Sequence, residues 1–192
     1  NISTVEDPVE IALSGINQIN IHPKAGLTFA HALRALLRQD PDILMIGEMR
    51  DLETIDIALH AAQTGHLVLS TLHTNSSCEA IIRLLQMGIA PYQISSSIRL
   101  ILAQRLLRKL CVHCLGVGCD LCQQGYAGRT GIYELLSMTD DLSALIQHHP
   151  DRHQLQQYQR TQGLDQLWQH GLSKIALGLT DEKELLRVVE PS

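Results

Sequence analysis

Aromatic side chains are scarce. Phenylalanine and tryptophan occur once each, and aromatics together make up 3% of the 192 residues, so any core must be aliphatic. No window holds the uninterrupted apolar run that spans a bilayer, and no charged-then-apolar leader opens the sequence; both point to a cytoplasmic protein. Positive charge is not in excess either. Fifteen Lys and Arg stand against twenty Asp and Glu, a net charge of −5, which excludes bulk electrostatic binding to nucleic acid, and the shortage of aromatics removes the stacking platforms that single strands use. Internal repeats, low-complexity tracts and long linkers are absent. Asn1 is not a natural start, and the sequence opens abruptly on strand-like residues, so the expectation is the latter part of a longer protein. What is present is a 45% hydrophobic composition in a length that holds one domain, or one with a small appendage.

Residues 39–51 organise the rest. Ile43 to Ile46 is a wholly apolar run closed by Gly47, which suits a central strand of a parallel sheet, and Glu48, Arg50 and Asp51 follow at once. Such a run delivers its charges to the strand's carboxyl end, the edge where open α/β sheets bind ligands. A carboxylate there can orient water or magnesium beside a nucleotide's phosphates; alternatively the three charged residues simply begin a solvated helix. At the start of the chain, Ile2 to Val5 resembles the end of a strand, and Glu6, Asp7 and Glu10 then surround Pro8, either as a site or as an acidic turn.

Alternating elements fill the first half. Residues 16–21 form a short strand in an exposed excursion. Thr28 caps a helix with Phe29, Leu33, Leu36 and Leu37 at helical spacing, and Asp51 opens another with Leu52, Ile55, Leu59 and Ala62 on one face and Gly65 as its stop. Residues 66–75 give a second buried strand leading into polar residues. His66 lies at its start and His73 beyond its end, on the edge of Glu48, where an imidazole can donate to a terminal phosphate. Asn75 or Ser76 caps the next helix, and Pro91 opens a long one reaching about Leu110. Strand, helix, strand, helix is the order of a parallel sheet. The helix predicted from Pro91 carries Arg99, Arg105, Arg108 and Lys109, a solvated basic face or, in a ring, a contact with a neighbour's acids or nucleotide.

Cys111-Val112-His113-Cys114 and Cys119-Asp120-Leu121-Cys122 present four thiolates suited to a structural zinc tetrahedron. A redox dithiol or unmetallated thiols are the alternatives. Four residues separate the pairs, and Gly116 and Gly118 supply the flexibility of a tight reversal. Cys78, on a helix, reads as a packed small residue. Beyond the cysteines the pattern predicts a loop over 125–131, a short strand over 132–136, a helix capped by Thr139, and three more over about 151–161, 165–177 and 181–189. The histidines at 148, 149, 153 and 170 lack metal spacing.

Taken together, residues 3–10, 39–51 and 64–75, the Ala103-Gln104-Arg105-Leu106 block, the paired cysteines and residues 128–136 resemble the secretion ATPase superfamily, specifically the GspE- and PilB-like motors of type II secretion and type IV pilus assembly. The likeness runs to about Glu190 with six blocks in order. The cysteines place it with the assembly and export branch rather than the retraction motors.

The resemblance implies an α/β, RecA-like P-loop nucleotide hydrolase core, mainly a parallel sheet with flanking helices. It is incomplete, and bears a small four-cysteine zinc knuckle and a C-terminal helical subdomain. The expected division is 1–110 for the core, 111–128 for the zinc element and 129–192 for a strand and helices. It further implies ATP, Mg2+ and Zn2+ as cofactors. Glu6 would polarise the attacking water, Glu48 would hold magnesium through water, and His66 and His73 would form the histidine box. Asp7, Arg50, Asp51 and Arg105 would be associated with nucleotide or magnesium. Glu6 and Glu48 can exchange roles without changing the pattern. Also implied are a hexamer, an inner-membrane platform protein as partner, membrane contact only through partners, and a location peripheral to the bacterial inner membrane.

Two departures stand out. Nowhere is Gly followed directly by Lys, so the phosphate loop Gly-x-x-x-x-Gly-Lys-Ser/Thr is absent, and the fragment alone is expected not to turn over ATP. The connection between cysteine pairs is also shorter than such motors use. The alternative function is a non-catalytic zinc-bearing scaffold of a secretion or pilus machine.

Overall fold

The computed structural model describes residues 1–191. Its contacts divide the chain into two interleaved units: residues 1–73, 80–99 and 138–150 form one, and 74–79, 100–137 and 151–191 the other.

The first unit is built on a four-stranded, wholly parallel sheet. Its strands are β1 (Ile2–Glu6), β2 (Asn17–Asn20), β3 (Ile43–Ile46) and β4 (Leu67–Ser70), in the spatial order β2-β1-β3-β4. The residues expected to form an exposed excursion are therefore an edge strand of the sheet, with Val5 aligned on Ile19. Alternation sorts the side chains. Val5, Leu44, Ile46 and Val68 share one face and pack against α1 (Phe29–Leu36) and α2 (Leu52–Gln63) through Leu33, Leu36, Ala58 and Ala61. The other face carries Ile2, Thr4, Glu6, Ile43, Met45, Leu67 and Leu69, of which Leu67 and Leu69 are about half exposed. The helix starts follow their caps: Thr28 accepts from the amide of His31, and Asp51 from that of Thr54. Leaving α2, Gly65 takes a left-handed φ of 106°.

Past β4 the chain forms α3 (Ser77–Gln86), begun by the Ser76 hydroxyl accepting from the Glu79 amide, and then α4 (Pro91–Ser97). Pro91 does open that helix, but it stops at Ser97. The stretch predicted to continue it is β5 (Leu100–Leu110), paired antiparallel with β6 (Tyr126–Ser137). The loop expected at 125–131 is mostly the first half of β6. Within the first unit α4 packs on α2 and on α5 (Asp140–Gln147), where Ile94, Leu142 and Ile146 are fully buried.

In the second unit one face of the β5–β6 ribbon, through Ala103, Leu107 and Ile132, packs on α7 (Leu167–Ala176) and α8 (Glu182–Val188). A buried polar cluster ties α6 (Arg152–Thr161) to the same ribbon. Glu134 accepts from the Ser77 amide (2.9 Å) and hydroxyl, from Gln159 Nε2 (3.2 Å) and from the Leu167 amide (3.4 Å). Four neutral donors let a carboxylate stay buried at 3% exposure. Cys78 donates to Gln159 (3.0 Å), and burial pushes its thiol up to about 12, so it is packed and chemically inert.

Glu184, with no exposed surface, makes a second such anchor. Arg187 first, and then Arg108, hold its carboxyl down from 4.5 to about 2 against the opposing effect of burial. A depressed carboxylate stabilises the fold above its unfolded pKa and loses that contribution as pH falls through the folded value. Between pH 4.5 and about 2 the second unit should lose about 2–3 kcal/mol from this group. The check is thermal melting against pH. Glu184→Gln should already be destabilised at pH 7 and show a flatter acid limb, and a variant that matches the parent at pH 7 would refute the assignment.

Candidate functional site

The site begins with the parallel register. Val5 pairs with Ile46 and Ile46 with Ser70, so the chain leaves all three strands at one level, and Glu6, Gly47 and Thr71 continue there side by side. Backbone bonds carry the register past the strand ends. The Gly47 amide donates to Val5 O (2.8 Å), the Thr71 hydroxyl to Gly47 O (2.5 Å), and the Met49 amide to Thr71 O (3.1 Å). Gly47 sits close to the neighbouring strand. A Cβ there would lie 3.3 Å from Val5 O and 3.4 Å from the Glu6 Cα, both backbone atoms that cannot swing away. The glycine lets the two acid-bearing strand ends close on each other.

Glu6 Oε1 accepts from the Thr4 hydroxyl (2.5 Å) and Gln18 Nε2 (3.1 Å), which fixes the side chain; Oε2 has no protein partner among the described residues. Glu48, 12% exposed at its side chain, is held by Arg50 at one oxygen and by His73 Nε2 (2.7 Å) at the other. A carboxylate only accepts, so Nε2 carries the proton in this contact. The Arg50 guanidinium, then the His73 imidazole, keep Glu48 below the usual carboxylate range and therefore anionic. Asp7 adds to the negative field at Arg50. The structure thus gathers Glu6, Asp7, Glu48, Arg50 and His73 at the carboxyl edge of the sheet. Three carboxylates and an exposed imidazole there suit a hard cation and a phosphate oxygen.

His66 lies apart from these, and Asp51 and Arg105 are engaged with other partners. His66 is at the opposite edge, beside Asp42, with Nδ1 3.0 Å from Ala61 O; four strand residues at about 3.3 Å each separate it from the level of His73. Asp51 caps α2, with one oxygen on the Thr54 amide (2.8 Å) and the other on its hydroxyl (2.9 Å). Arg105 belongs to the second unit, where its Nη2 donates to Thr74 O (3.2 Å) and Asn75 Oδ1 (2.8 Å). Pattern reading did not single out Glu134 or Glu184; the one sign of Glu134 is a lone acid within the run Ile132-Tyr133-Glu134-Leu135-Leu136.

The cysteines form a separate centre. All four Sγ atoms lie within 4.8 Å of one another, with Cys111–Cys119 at 3.9 Å and both Cys114–Cys122 and Cys119–Cys122 at 3.7 Å. A tetrahedron of sulfurs at the ordinary Zn–S distance has edges of about 3.8 Å, so the donor set fits. The Gly118 amide donates to Cys114 Sγ (3.2 Å) and the Cys119 amide to Cys122 Sγ (3.3 Å), which fixes both sulfurs in place. Gly116 and Gly118, between the pairs, take left-handed φ of 95° and 109°, and the chain returns against them at Gly125. A Cβ on Gly125 would meet Gly116 O at 2.2 Å.

Comparisons with known proteins bear on the family and the fold. The family model described as type II/IV secretion system protein matches residues 1–187. The protein transport protein HofB homolog of Escherichia coli K12 is 48% identical over 211 aligned positions, covering 98% of this chain and 46% of that protein. The type IV pilus assembly ATPase PilB of Pseudomonas aeruginosa is 46% identical over 217, covering 99% and 38%. Among solved structures, that of the pilus retraction motor PilT with bound ADP superposes with a TM-score of 0.79 at 31% identity, covering 99% of this chain and 52% of that one. The chain spans 38–46% of the length of the curated relatives it matches here.

Proposed function

The chain belongs to the type II/IV secretion system protein family, and from that premise we propose that it is the C-terminal portion of a hexameric motor ATPase driving pilin or pseudopilin assembly. The observation that carries the reading is the meeting of Glu6, Glu48 and His73 at one edge of a parallel sheet, from positions far apart in the chain. In this reading residues 1–110 are the latter part of the RecA-like core, 111–128 the metal element and 129–192 a strand with helices.

Phosphoryl transfer asks a protein mainly for alignment and charge stabilisation. Glu6, held by Thr4 and Gln18 with one oxygen unengaged, orients and polarises the attacking water. Glu48, anionic and pinned on both sides, would hold magnesium through water, an ion that supplies neutralisation of phosphate charge when bound. His73, whose Nε2–H rests on Glu48, would pass that hydrogen bond to a terminal phosphate oxygen when nucleotide binds, and Arg50 and Asp7 set the field around Glu48. Asp51, His66 and Arg105 contribute through the loops and helix that they fix. The backbone cradle for the phosphates would come from a preceding segment, since no Gly-Lys pair occurs here. The half-exposed Leu67 and Leu69 face supports such a segment, because parallel sheets bury both faces. Zinc, held by Cys111, Cys114, Cys119 and Cys122, would fix the knuckle's fold. The motor would work on the cytoplasmic side of the inner membrane against a platform protein; no helix among the described residues is long and apolar enough to cross a membrane.

The missing phosphate loop favours one competing reading, a zinc-bearing scaffold without catalysis. Magnesium-dependent ATP hydrolysis separates the two. The full-length protein should turn over ATP at a rate of order 1 per second, while residues 1–192 alone should stay at background. A full-length protein with an intact zinc site and no hydrolysis would leave only the scaffold.

A further inference from the structure

A second ligand site is written into the other unit. A cleft of about 440 Å³ is lined by Leu106, Arg108, Arg129 and Arg187, within the size range of small-ligand sites. Arg108 and Arg129 are directly opposed in the β5–β6 register, a placement of like charges that costs stability unless an anion compensates. Arg187 reaches the same cleft from α8.

The carboxylate bonded to these arginines is Glu184, and its capacity is used up. Glu184 Oε1 accepts from the Arg108 amide and Arg187 Nη2, and Oε2 from Arg108 Nε and Nη2 and from Arg187 Nε. Five bonds exceed the roughly four lone-pair sites of a carboxylate, so Glu184 cannot also serve Arg129. The guanidinium of Arg129 has no protein partner among the described residues. Glu184 offsets one of the three arginine charges, so the cleft keeps a net positive charge.

The unsatisfied donors define the ligand. Arg108 and Arg187 each use Nε and Nη2 on Glu184 and leave Nη1 free, and Arg129 leaves its whole fork. Donors on three separate arginines match a tetrahedral dianion with three terminal oxygens better than a planar carboxylate with two. The frame is rigid before any ligand arrives. Arg108 lies 4.1 Å over the Tyr126 ring, and the Tyr126 hydroxyl donates to Asp181 (2.7 Å), whose other oxygen caps α8 at the Glu184 amide (2.8 Å).

We propose that Arg108, Arg129 and Arg187 form a binding site for a phosphate group, distinct from the carboxylate-rich edge of the first unit. Free phosphate compounds and phospholipid headgroups share this chemistry.

The test is a titration of the 192-residue chain with inorganic phosphate, followed by amide chemical shifts at low ionic strength. Because the chain has no phosphate loop, the nucleotide site contributes little background. Saturating 1:1 shifts should cluster at residues 106–108, 129–131 and 184–187, and equal ionic strength of potassium chloride should not reproduce them. Arg129→Ala, which removes an exposed and unpartnered side chain, should melt no lower than the parent yet bind phosphate about tenfold more weakly, Arg129→Lys should fall between, and Arg38→Ala should bind like the parent. Co-sedimentation with phosphatidate vesicles that is lost in Arg129→Ala and absent with phosphatidylcholine assigns the group to a headgroup; phosphate titration without vesicle binding assigns it to a soluble compound. Binding indifferent to Arg129 in both arms, or shifts spread evenly over all basic residues, overturns the proposal.

Discussion

In the full-length protein, Glu48→Gln and Glu6→Gln should each lower kcat for ATP about a hundredfold or more, and by different routes. Both changes keep the side chain's size and remove its charge. For Glu48 the loss is electrostatic. Arg50 and His73 surround a carboxylate they keep ionised, and an amide in its place leaves Arg50 without its anion and magnesium without an acidic anchor. The magnesium concentration needed for half-maximal rate should therefore rise in Glu48→Gln. Glu6 sits differently, with Oε1 fixed by Thr4 and Gln18 and Oε2 open. Glutamine retains the Thr4 contact but cannot polarise water, so Glu6→Gln should bind ATP and magnesium almost normally and fail to turn over. His73→Ala, with its ring 82% exposed, should cost less, about tenfold. Steady-state rates with magnesium titrations, together with nucleotide binding by fluorescence, decide this. If the magnesium requirement rises in Glu6→Gln and not in Glu48→Gln, the two roles are exchanged; if neither variant loses turnover, the carboxyl edge is not the catalytic centre.

That site was legible because its signals are local. Each acid directly follows an apolar strand, and in a parallel sheet consecutive strands end at one edge, so Glu6, Glu48 and His73 could be placed together from pattern alone. Helix starts were legible for the same reason, since Thr28, Asp51, Thr139, Asp151 and Asp181 each cap within three residues. Residues 98–110 misled because Leu100, Ala103, Leu107 and Leu110 recur at helical spacing among good helix formers. Pairing with β6, where Glu134 faces Ala103 and Thr130 faces Leu107, overrides that preference and turns Ala103 and Leu107 to one face by alternation. Arg108 then comes to lie opposite Arg129, a juxtaposition that a helix would not produce. The Glu134 and Glu184 anchors rest on partners as far as 57 and 76 residues away, and no local spacing encodes such contacts.

Metal removal should have the other large effect, and a confined one. The knuckle has almost no apolar interior. Cys111 is buried, but Val112, Leu115, Val117 and Leu121 are 76, 76, 90 and 69% exposed, and the loop is otherwise tied by a few backbone bonds such as Cys111 N to Gly125 O (2.8 Å) and Leu115 N to Cys111 O (2.8 Å). A segment that buries so little cannot offset its ordering entropy, so in the zinc reading the four thiolates and their ion would hold it. Structural zinc binding in small isolated modules is worth about 10–16 kcal/mol, far more than these few backbone bonds, so a bound zinc would make the segment's fold metal-dependent. Purified chain should contain one zinc per molecule by elemental analysis. Chelation, or Cys114→Ser with Cys122→Ser, should raise hydrogen exchange across residues 111–125 by orders of magnitude and leave the amides of β1, β3 and β4 protected, because those strands draw on a separate core around Val5, Leu44 and Ile46. A metal-replete preparation with no zinc and the mass of two disulfides would make the quartet a redox element. Exchange that rises equally in the parallel sheet would mean instead that the knuckle supports the entire fold.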